Sequence, residues 1–425
     1  MTDPAALHEH LFRHEAGRMT AALTRLFGVH NLALAEDVVQ DAFARALEVW
    51  KFQGPPPNPA AWLMATARNR ALDVIRRERT ARTFAPELTR LLESEWTAST
   101  LVDESFTGDV VLGEQLRMMF SCCDPALREP AQIGLILNIL CGFGAAEIAA
   151  AFLEERAAVE KRIARGKKVL AQSARLFDLT AADFVDRLGA VHRAVYLLFN
   201  EGYHGASTRE TVRRELCDEA MRLMVLLREH PATRTPATFA LSALMALHAS
   251  RLPARLNDAG ELVSLWDQDR SAWDRTLIEE GRGLLEESAR GEDVTTYHLE
   301  AAIAAVHAKA SGLADTDWRA IVNLYDQLMR VAPSAVVALN RAIAIGQRDG
   351  PLAGLAAIEA IADRARLASY PFLPAALGEM ERRQGNGVAA KAHFERALAL
   401  ARSDSERRYL LKRISAAEAA TAPSG

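Results

Sequence analysis

Residues 32–50, LALAEDVVQDAFARALEVW, decide how the first part of the chain folds. Their apolar positions recur at helical spacing and are Val38, Val39, Ala42, Phe43, Ala46, Leu47 and Trp50. A second face carries Asp37, Gln40, Asp41 and Ala44, spaced three and four residues apart. The stretch therefore predicts an amphipathic helix with an acidic stripe beside its apolar face.

The segment that follows predicts a loop and then a third helix. Residues 51–60, KFQGPPPNPA, cannot be helical because their prolines fix an extended path. From near Ala60, the stretch AAWLMATARNRALDVIRRER has an apolar arc of Leu63, Met64, Ala67, Ala71, Val74 and Ile75. The opposite arc holds Thr66, Asn69, Arg70, Asp73, Arg76, Arg77 and Thr80. Trp62 falls on this polar arc, where it either stacks on nucleic-acid bases or folds back onto the loop prolines.

Charge is distributed unevenly in a chain whose formal net charge is −4. Residues 66–82 carry six Arg against two acids, and residues 157–170 carry five Lys or Arg against one acid, so each segment has a net charge of +4. Between them, residues 86–115 carry seven acids against one Arg, a net charge of −6. Single charge runs are usually solvated faces, but two basic helices separated by an acidic linker weaken that interpretation.

Residues 145–171 have the layout of a helix-turn-helix. The pattern predicts a short helix over 145–153, a turn over 154–156 and a longer helix over 157–171. Its inward side is predicted to be Val159, Ile163, Gly166 and Leu170, and its outward side Lys161, Ala164, Arg165 and Lys168. A generic amphipathic hairpin has a similar pattern, so the motif alone leaves both interpretations open.

The chain from about 180 to 415 consists of Ala/Leu-rich helices interrupted by prolines, and its last part repeats. In residues 373–400, small and apolar residues have the spacing of a tetratricopeptide unit: Leu377, Gly378, Gly385, Ala390, Phe394, Ala397 and Leu398. A weaker copy occupies residues 336–362. This pattern predicts an array of helical hairpins, which usually binds other molecules.

Composition narrows the function classes. Frequent Ala, Leu, Arg and Glu with few β-branched clusters predict an all-α protein. Without a long apolar stretch or a signal peptide, we expect no membrane association and a cytoplasmic protein. The four cysteines lack metal-ligand spacing, so we expect reduced, buried thiols and no metal or cofactor. An enzyme would have to use His192, Glu201, Tyr203 and His204, without a nucleophile or phosphate loop, and we therefore expect no enzymatic activity.

These motifs resemble a known family. AEDVVQDAFARALEVW followed by PAAWLMATARNRALDVIRRER is similar to region 2 of bacterial sigma factors, and residues 145–171 resemble region 4. Two such regions joined by a short linker resemble the extracytoplasmic-function (ECF) group of the sigma-70 family. Four further segments resemble the subgroup with a tetratricopeptide-like C-terminal extension: YLLFNEGYHG, SRLPARLND, LWDQDRSAWDRTLIEEG and YHLEAAIAAVHA. The domains implied are region 2 (5–82), an acidic linker (83–111), region 4 (112–175) and the extension (180–415).

The resemblance implies roles for individual residues. Asp37, Gln40 and Asp41 would dock on a coiled coil of the polymerase β′ subunit. The loop from Phe52 to Pro59, with Phe52 and Asn58, would capture a flipped −10 base. The separated strand would be held by Trp62, Asn69, Arg70, Asp73, Arg76 and Arg77. The −35 element would be read by Glu160, Lys161, Ala164 and Arg165, with Lys167 and Lys168 on phosphates.

The implied partners are core RNA polymerase, promoter DNA and a protein bound by the C-terminal repeats. Two departures affect the −35 assignment: the turn LEER lacks the usual glycine, and position 160 holds an acid. Glu160 either accepts from a cytosine amino group or pairs with Arg156 or Lys161. The alternative function is a helix-turn-helix regulator with a repeat-type sensor, which leaves the acidic stripe and the proline loop without a role.

Overall fold

The computed structural model describes residues 4–27, 31–81, 108–152, 154–172, 179–204, 212–257, 261–401 and 404–419. Over these ranges the chain is helical and forms no strand, apart from one isolated antiparallel bridge between Leu256 and Leu262. The predicted all-α fold is therefore confirmed. Most of the predicted acidic linker, residues 83–107, lies outside the described residues.

The chain divides into two compact units. The first unit comprises Met1–Leu198 and Arg222–Thr233, and the second comprises Phe199–Met221 and Arg234–Gly425. Two of the division points fall inside continuous helices, Ala181–His204 and Arg214–Glu229. The chain therefore passes from one unit to the other three times.

The first unit contains two helical modules. The N-terminal module consists of α1 (Pro4–Phe27), α2 (Leu32–Gln53) and α3 (Pro59–Ala81). The second module, which contains the predicted helix-turn-helix, consists of α4 (Gly108–Cys122), α5 (Glu129–Leu135) with a π-helical turn (Ile136–Leu140), α6 (Ala145–Phe152) and α7 (Arg156–Gln172). These are followed by α8 (Ala181–His204) and α9 (Arg214–Glu229).

The core of the N-terminal module follows the predicted apolar faces of α2 and α3. It is built from Met19, Leu23, Phe27, Ala35, Val38, Val39, Ala42, Phe43, Ala46, Trp50, Leu63, Ala67, Ala71 and Ile75. Leu47 is the exception, since 58% of its surface is exposed. Seven residues after Gln40, it lies on the acidic face of α2 and not on the buried one.

The second unit is a succession of helices. They are α10 (Pro236–Ala249), α11 (Arg275–Ser288), α12 (Thr296–Lys309), α13 (Trp318–Val331), α14 (Ala335–Arg348), α15 (Pro351–Glu359), α16 (Phe372–Arg383), α17 (Gly387–Leu400) and α18 (Asp404–Ala419). Short 3₁₀ helices occupy Leu252–Ala254, Arg270–Ala272 and Arg364–Leu367. No helix in the described part of the chain is long and apolar enough to cross a membrane.

Small residues allow close helix packing where the repeat pattern was recognised. A Cβ added to Gly378 of α16 would lie 2.8 Å from the Phe394 ring of α17. Gly385 joins these helices with a φ of 83°, a conformation that favours glycine. In the preceding pair, a Cβ on Gly354 would lie 2.8 Å from the Cα of Gly346. The predicted helical hairpins are therefore present, and glycine is needed at their contacts.

Candidate polymerase and nucleic-acid interface

The acidic stripe predicted on α2 is exposed. Asp37, Gln40 and Asp41 all lie on the surface. The Arg70 Nε of α3 donates to the Asp41 Oδ2 over 2.7 Å, and this pair is partly exposed. The ion pair joins a predicted polymerase contact to a predicted −10 contact. The two candidate surfaces therefore meet along the seam between α2 and α3.

The C-terminal end of α2 presents one aromatic ring to solvent. Residues 51–53 are helical because α2 continues to Gln53, so the prediction that residues 51–60 form a loop is wrong for its first three residues. Gly54, with a φ of 74°, donates from its N–H to the Trp50 carbonyl and ends α2. The Asn58 Oδ1 accepts from the Ala61 N–H over 3.0 Å, which caps the start of α3. The Phe52 side chain is 84% exposed, with the Lys51 Nζ 5.8 Å from its ring centre. This ring is available to stack on a base, whereas the side-chain oxygen of Asn58 already has a structural partner.

Trp62 packs on another tryptophan. Its ring centre lies 5.5 Å from that of Trp50, with the planes tilted by 59°. The ring is half-buried at the edge of the module core. The partner is thus a side chain of α2, which neither the base-stacking nor the proline interpretation named.

The remaining polar residues of α3 form a surface rich in arginine. Asn69, Asp73, Arg76 and Arg77 are exposed, while Arg70 is half-buried. Arg76 and Asp73 form a loose ion pair of 3.8 Å one turn apart. Pairs of this exposed kind contribute at most about 1 kcal/mol, so a phosphate can displace the carboxylate at little energetic cost.

Side chains at the turn hold the two helices of the predicted helix-turn-helix in place. The Gly144 N–H donates to the Glu147 Oε2 over 2.8 Å at the start of α6. Arg162 of α7 forms a two-pronged ion pair with Glu154, one N–O distance being 2.9 Å. Because Glu154 also donates its N–H to the Ala149 carbonyl, the turn is fixed at both ends without a glycine.

The longer helix of this motif, α7, has the two faces predicted for it. Val159, Ile163, Gly166 and Leu170 are buried, and Lys161, Ala164, Arg165 and Lys168 are exposed. Gly166 packs so closely on α5 that an added Cβ would lie 2.8 Å from a Leu135 methyl group. The Glu160 Oε1 accepts from the Arg156 Nε over 2.7 Å, so the ion pair is the contact that Glu160 makes here.

Lys167 does not share the open environment of its neighbours. Its Nζ donates to the Glu36 Oε1 of α2 over 2.5 Å, and both side chains are largely buried. This ion pair connects the helix predicted to bind the −35 element with the helix predicted to bind polymerase.

Packing between the two modules continues along α1. A Cβ added to Gly17 would lie 1.9 Å from the Leu140 carbonyl oxygen, so α1 contacts the backbone of the π-helical turn directly. Nearby, Arg25 of α1 pairs with the buried Glu114 of α4 over 3.1 Å. Burial raises the pKa of the Glu114 carboxyl, although the charges of Arg25 and Arg117 oppose this. The first unit thus holds both modules in one closed arrangement.

The groups considered for enzymatic chemistry are divided between the units. His192 is buried in α8 within the first unit, where burial lowers its pKa to about 4. Tyr203 belongs to the second unit and stacks on Phe199. Among the described residues, no group of three or more His, Cys, Asp or Glu could hold a metal ion. Cys122, Cys123, Cys141 and Cys217 are free and buried, as predicted.

Comparison with known proteins defines the class of the N-terminal module. Residues 11–81 match the model of Sigma-70 region 2, which covers α2, α3 and most of α1. Residues 187–289 match a family of unknown function (DUF6596). No solved structure matches the chain.

One relative matches nearly the whole chain. An uncharacterized protein of Rhizobium meliloti (strain 1021) is 40% identical over 406 residues, which is 94% of each chain. The chain belongs to the same family as this protein, and its match to region 2 in residues 11–81 supports a factor of the sigma-70 family.

Three features of these surfaces were not recognised from the sequence. They are the Trp50–Trp62 contact, the Lys167–Glu36 ion pair and the contact between Gly17 and the π-helical turn. Gly17 carried a detectable signal, since a glycine inside a helical pattern often marks a close approach. The two other contacts join side chains on different helices and have no local signal.

Proposed function

We propose that this protein is an ECF-type sigma factor that binds core RNA polymerase and directs promoter recognition. The observation that carries this proposal is the continuous exposed surface of α2 and α3 within the matched region 2. On it, the acidic stripe lies beside the arginine-rich face, and the Asp41–Arg70 ion pair marks their boundary.

Polymerase docking is assigned to Asp37, Gln40 and Asp41. Their exposure supports this assignment, because a docking surface must be accessible before the partner arrives. Leu47, exposed seven residues after Gln40, adds an apolar contact to the same face. On such a surface, complementary charges steer the partner during encounter, and the apolar residue is then buried in the complex.

Recognition of the −10 element is assigned to the loop and to the polar face of α3. The exposed Phe52 ring can stack on an unpaired base, an interaction of roughly 1–3 kcal/mol per base. Arg70, Arg76 and Arg77 can hold phosphates of the separated strand. Together these terms can offset the few kcal/mol needed to flip a base out of the duplex.

Recognition of the −35 element is assigned to the outer face of α7. Among the described side chains, no carboxylate lies within ion-pair distance of Lys161, Arg165 or Lys168, so their donors are available to DNA. Glu160 must release Arg156 before it can accept from a base. Lys167 must likewise exchange Glu36 for a phosphate.

The closed arrangement of the two modules has to open for both elements to be read at once. The −10 and −35 elements lie about 25 base pairs, or roughly 85 Å of duplex, apart at 3.4 Å per base pair. A 2.5 Å ion pair between α7 and α2 does not allow this separation. Promoter recognition therefore includes release of the contacts along α1.

The C-terminal extension, which we assign to the tetratricopeptide-like class, is proposed to control this opening or to recruit a protein partner. Its first part belongs to the same unit as the helix-turn-helix module. Arg187 pairs with Asp124 over 3.5 Å, and Arg193 pairs with Glu129 over 2.8 Å. Arg222 donates to Gln115 over 3.4 Å. These contacts support a direct effect of the extension on the −35 binding module.

The alternative, a helix-turn-helix regulator with a sensor domain, requires only the second module and the extension. It gives no role to region 2, which the comparison identifies in residues 11–81. We therefore retain the sigma factor as the proposed function.

A transcription assay with a charge-reversal variant tests the proposal. Purified protein and core polymerase are supplied with a random-promoter library, and run-off transcripts are sequenced. Asp37→Arg combined with Asp41→Arg should abolish copurification with core polymerase, because it opposes a complementary surface. Asp186→Arg, an exposed charge reversal on α8 outside region 2, is the matched control and should retain binding. Equal polymerase binding by the double variant and the wild type would refute the docking assignment.

A further inference from the structure

The second unit contains a group of arginines at an unusual depth. Arg251 follows α10 and is 8% exposed, and Arg255 lies half-buried one turn later. Their guanidinium carbons lie 5.9 Å and 4.2 Å from the ring centre of Tyr203, a residue only 2% exposed. Two cations thus share one buried aromatic ring.

No acid compensates these charges among the described residues. Neither Arg251 nor Arg255 has a carboxylate oxygen within 4.0 Å, and the buried Nε of each has no hydrogen-bond partner. Within the described residues, the one polar contact of the Arg251 guanidinium is a 3.5 Å approach to the His248 Nδ1. Burial lowers the pKa of Arg251; Tyr203 opposes this shift, and the charge of Arg255 adds to it.

A third buried arginine nearby, Arg270, has hydrogen-bond acceptors for its guanidinium group. Arg270 is 5% exposed, and it donates to the His307 and Ala310 carbonyls at the end of α12 and to the Thr316 hydroxyl. Its role is structural, because cations stabilise the C-terminal ends of helices. Arg251 and Arg255 have no equivalent set of acceptors.

Neighbouring aromatic and histidine groups do not supply the missing negative charge. Arg251 and Arg270 both approach the face of Trp273, at 5.4 Å and 5.3 Å. Cation–π contacts of this kind offset only part of the desolvation of a buried charge. Burial, Arg251 and Arg270 lower the pKa of His307 to about 3, so it is neutral at pH 7.

We propose that Arg251 and Arg255, beside Tyr203, form a binding site for a small phosphate-type dianion. Arginine recognises phosphate with paired N–H donors, and a phosphate monoester carries a charge of about −1.5 to −2 near neutral pH. That charge matches two guanidinium groups, whereas a simple carboxylate would neutralise only one. The ligand class is therefore inorganic phosphate or a small phosphorylated metabolite, which gives the extension a chemical input separate from promoter recognition.

The test uses full-length protein dialysed into phosphate-free buffer. Thermal unfolding is measured in the presence of inorganic phosphate, glycerol phosphate or acetate at matched ionic strength. Binding of the same three compounds is measured by isothermal titration calorimetry. At a free concentration near 100 times Kd, the ligand should lower the unfolding equilibrium constant about 100-fold. Inorganic phosphate or the monoester should stabilise the protein saturably, and the stronger of the two identifies the source of the phosphate group.

Two variants and one control locate the site. Arg251→Met and Arg255→Met should lose the phosphate effect, whereas Arg282→Met, an exposed arginine of α11, should keep it. Because Arg255 is only half-buried, its variant remains informative if Arg251→Met does not fold. The proposal is overturned if neither phosphate compound stabilises the wild type beyond acetate, or if Arg255→Met responds like the control. No polymerase or promoter is needed, so the result is independent of the proposed function.

Discussion

Replacing Gly17 with alanine should drive the two modules of the first unit apart. The new methyl carbon would lie 1.9 Å from the Leu140 carbonyl oxygen and 2.6 Å from its carbonyl carbon. Carbon and oxygen normally approach no closer than about 3.3 Å, so α1 and the π-helical turn must separate by about 1.4 Å. Both obstructing atoms belong to the backbone, and no side-chain rotation relieves the overlap.

The size of this effect can be isolated with a second glycine. Overpacking costs about 1–3 kcal/mol. Alanine also regains about 1 kcal/mol of helix propensity over glycine. Gly113→Ala, in α4, has the same propensity gain but meets no atom within 4 Å. The two variants should therefore differ by about 1–3 kcal/mol in the free energy of the closed arrangement. This difference corresponds to an approximately 5- to 150-fold shift of the closed–open equilibrium toward the open form.

Hydrogen exchange and transcription measure this shift. Amides of residues 136–141, in and after the π-helical turn, should exchange faster in Gly17→Ala than in Gly113→Ala. Because opening precedes promoter recognition in the proposed function, Gly17→Ala should also give more transcript at limiting protein concentration. Equal exchange rates in the two variants would refute the steric reasoning, and faster exchange without more transcript would refute closure as a control on activity.

Two further predictions concern single side chains. Arg165→Ala should weaken and relax the upstream promoter preference, whereas Lys168→Ala should weaken binding to all sequences alike, since base contacts specify and phosphate contacts position. A promoter library that returns the wild-type preference for Arg165→Ala would contradict this. His192 is neutral in the fold because burial lowers its pKa to about 4, so stability should fall as pH drops below the unfolded value of 6.5. Between pH 7 and pH 5 the loss is about 2 kcal/mol, and His192→Gln should remove it in urea titrations; an unchanged pH slope would exclude His192 as the cause.

Local periodicity was sufficient to predict the helices that carry the interface. The recognition helix predicted over 157–171 occupies Arg156–Gln172, and its buried and exposed faces are the predicted ones. This works because a two-faced helix places its residues by a fixed angle along the chain. The hairpin contact of Gly378 with Phe394 was predictable for the same reason, since the repeat spacing itself encodes a close approach.

Contacts between distant elements could not be predicted in this way. The pattern assigned Trp62 a face of α3, but its partner Trp50 lies on another helix. Leu47 was counted as apolar by residue type, although its position continues the acidic face. The Lys167–Glu36 pair joins residues 131 positions apart, and no periodicity reports on such a distance. The sequence did not indicate that the arginines around Tyr203 are buried, because their burial depends on how distant segments pack.

The division of α8 and α9 between the two units has a consequence for synthesis on the ribosome. Residues 222–233 belong to the first unit, where His230 stacks on Phe184 at 5.1 Å, but they follow 23 residues of the second unit in the chain. The first unit cannot complete its fold until residue 233 has emerged, about 2–7 s after residue 198 at usual elongation rates. A nascent chain stalled before that point would contain both helical modules of the first unit without their last supporting helix. The earliest fragment that contains all of the first unit ends at Thr233, and a stop after Leu179 would remove part of this unit together with the extension.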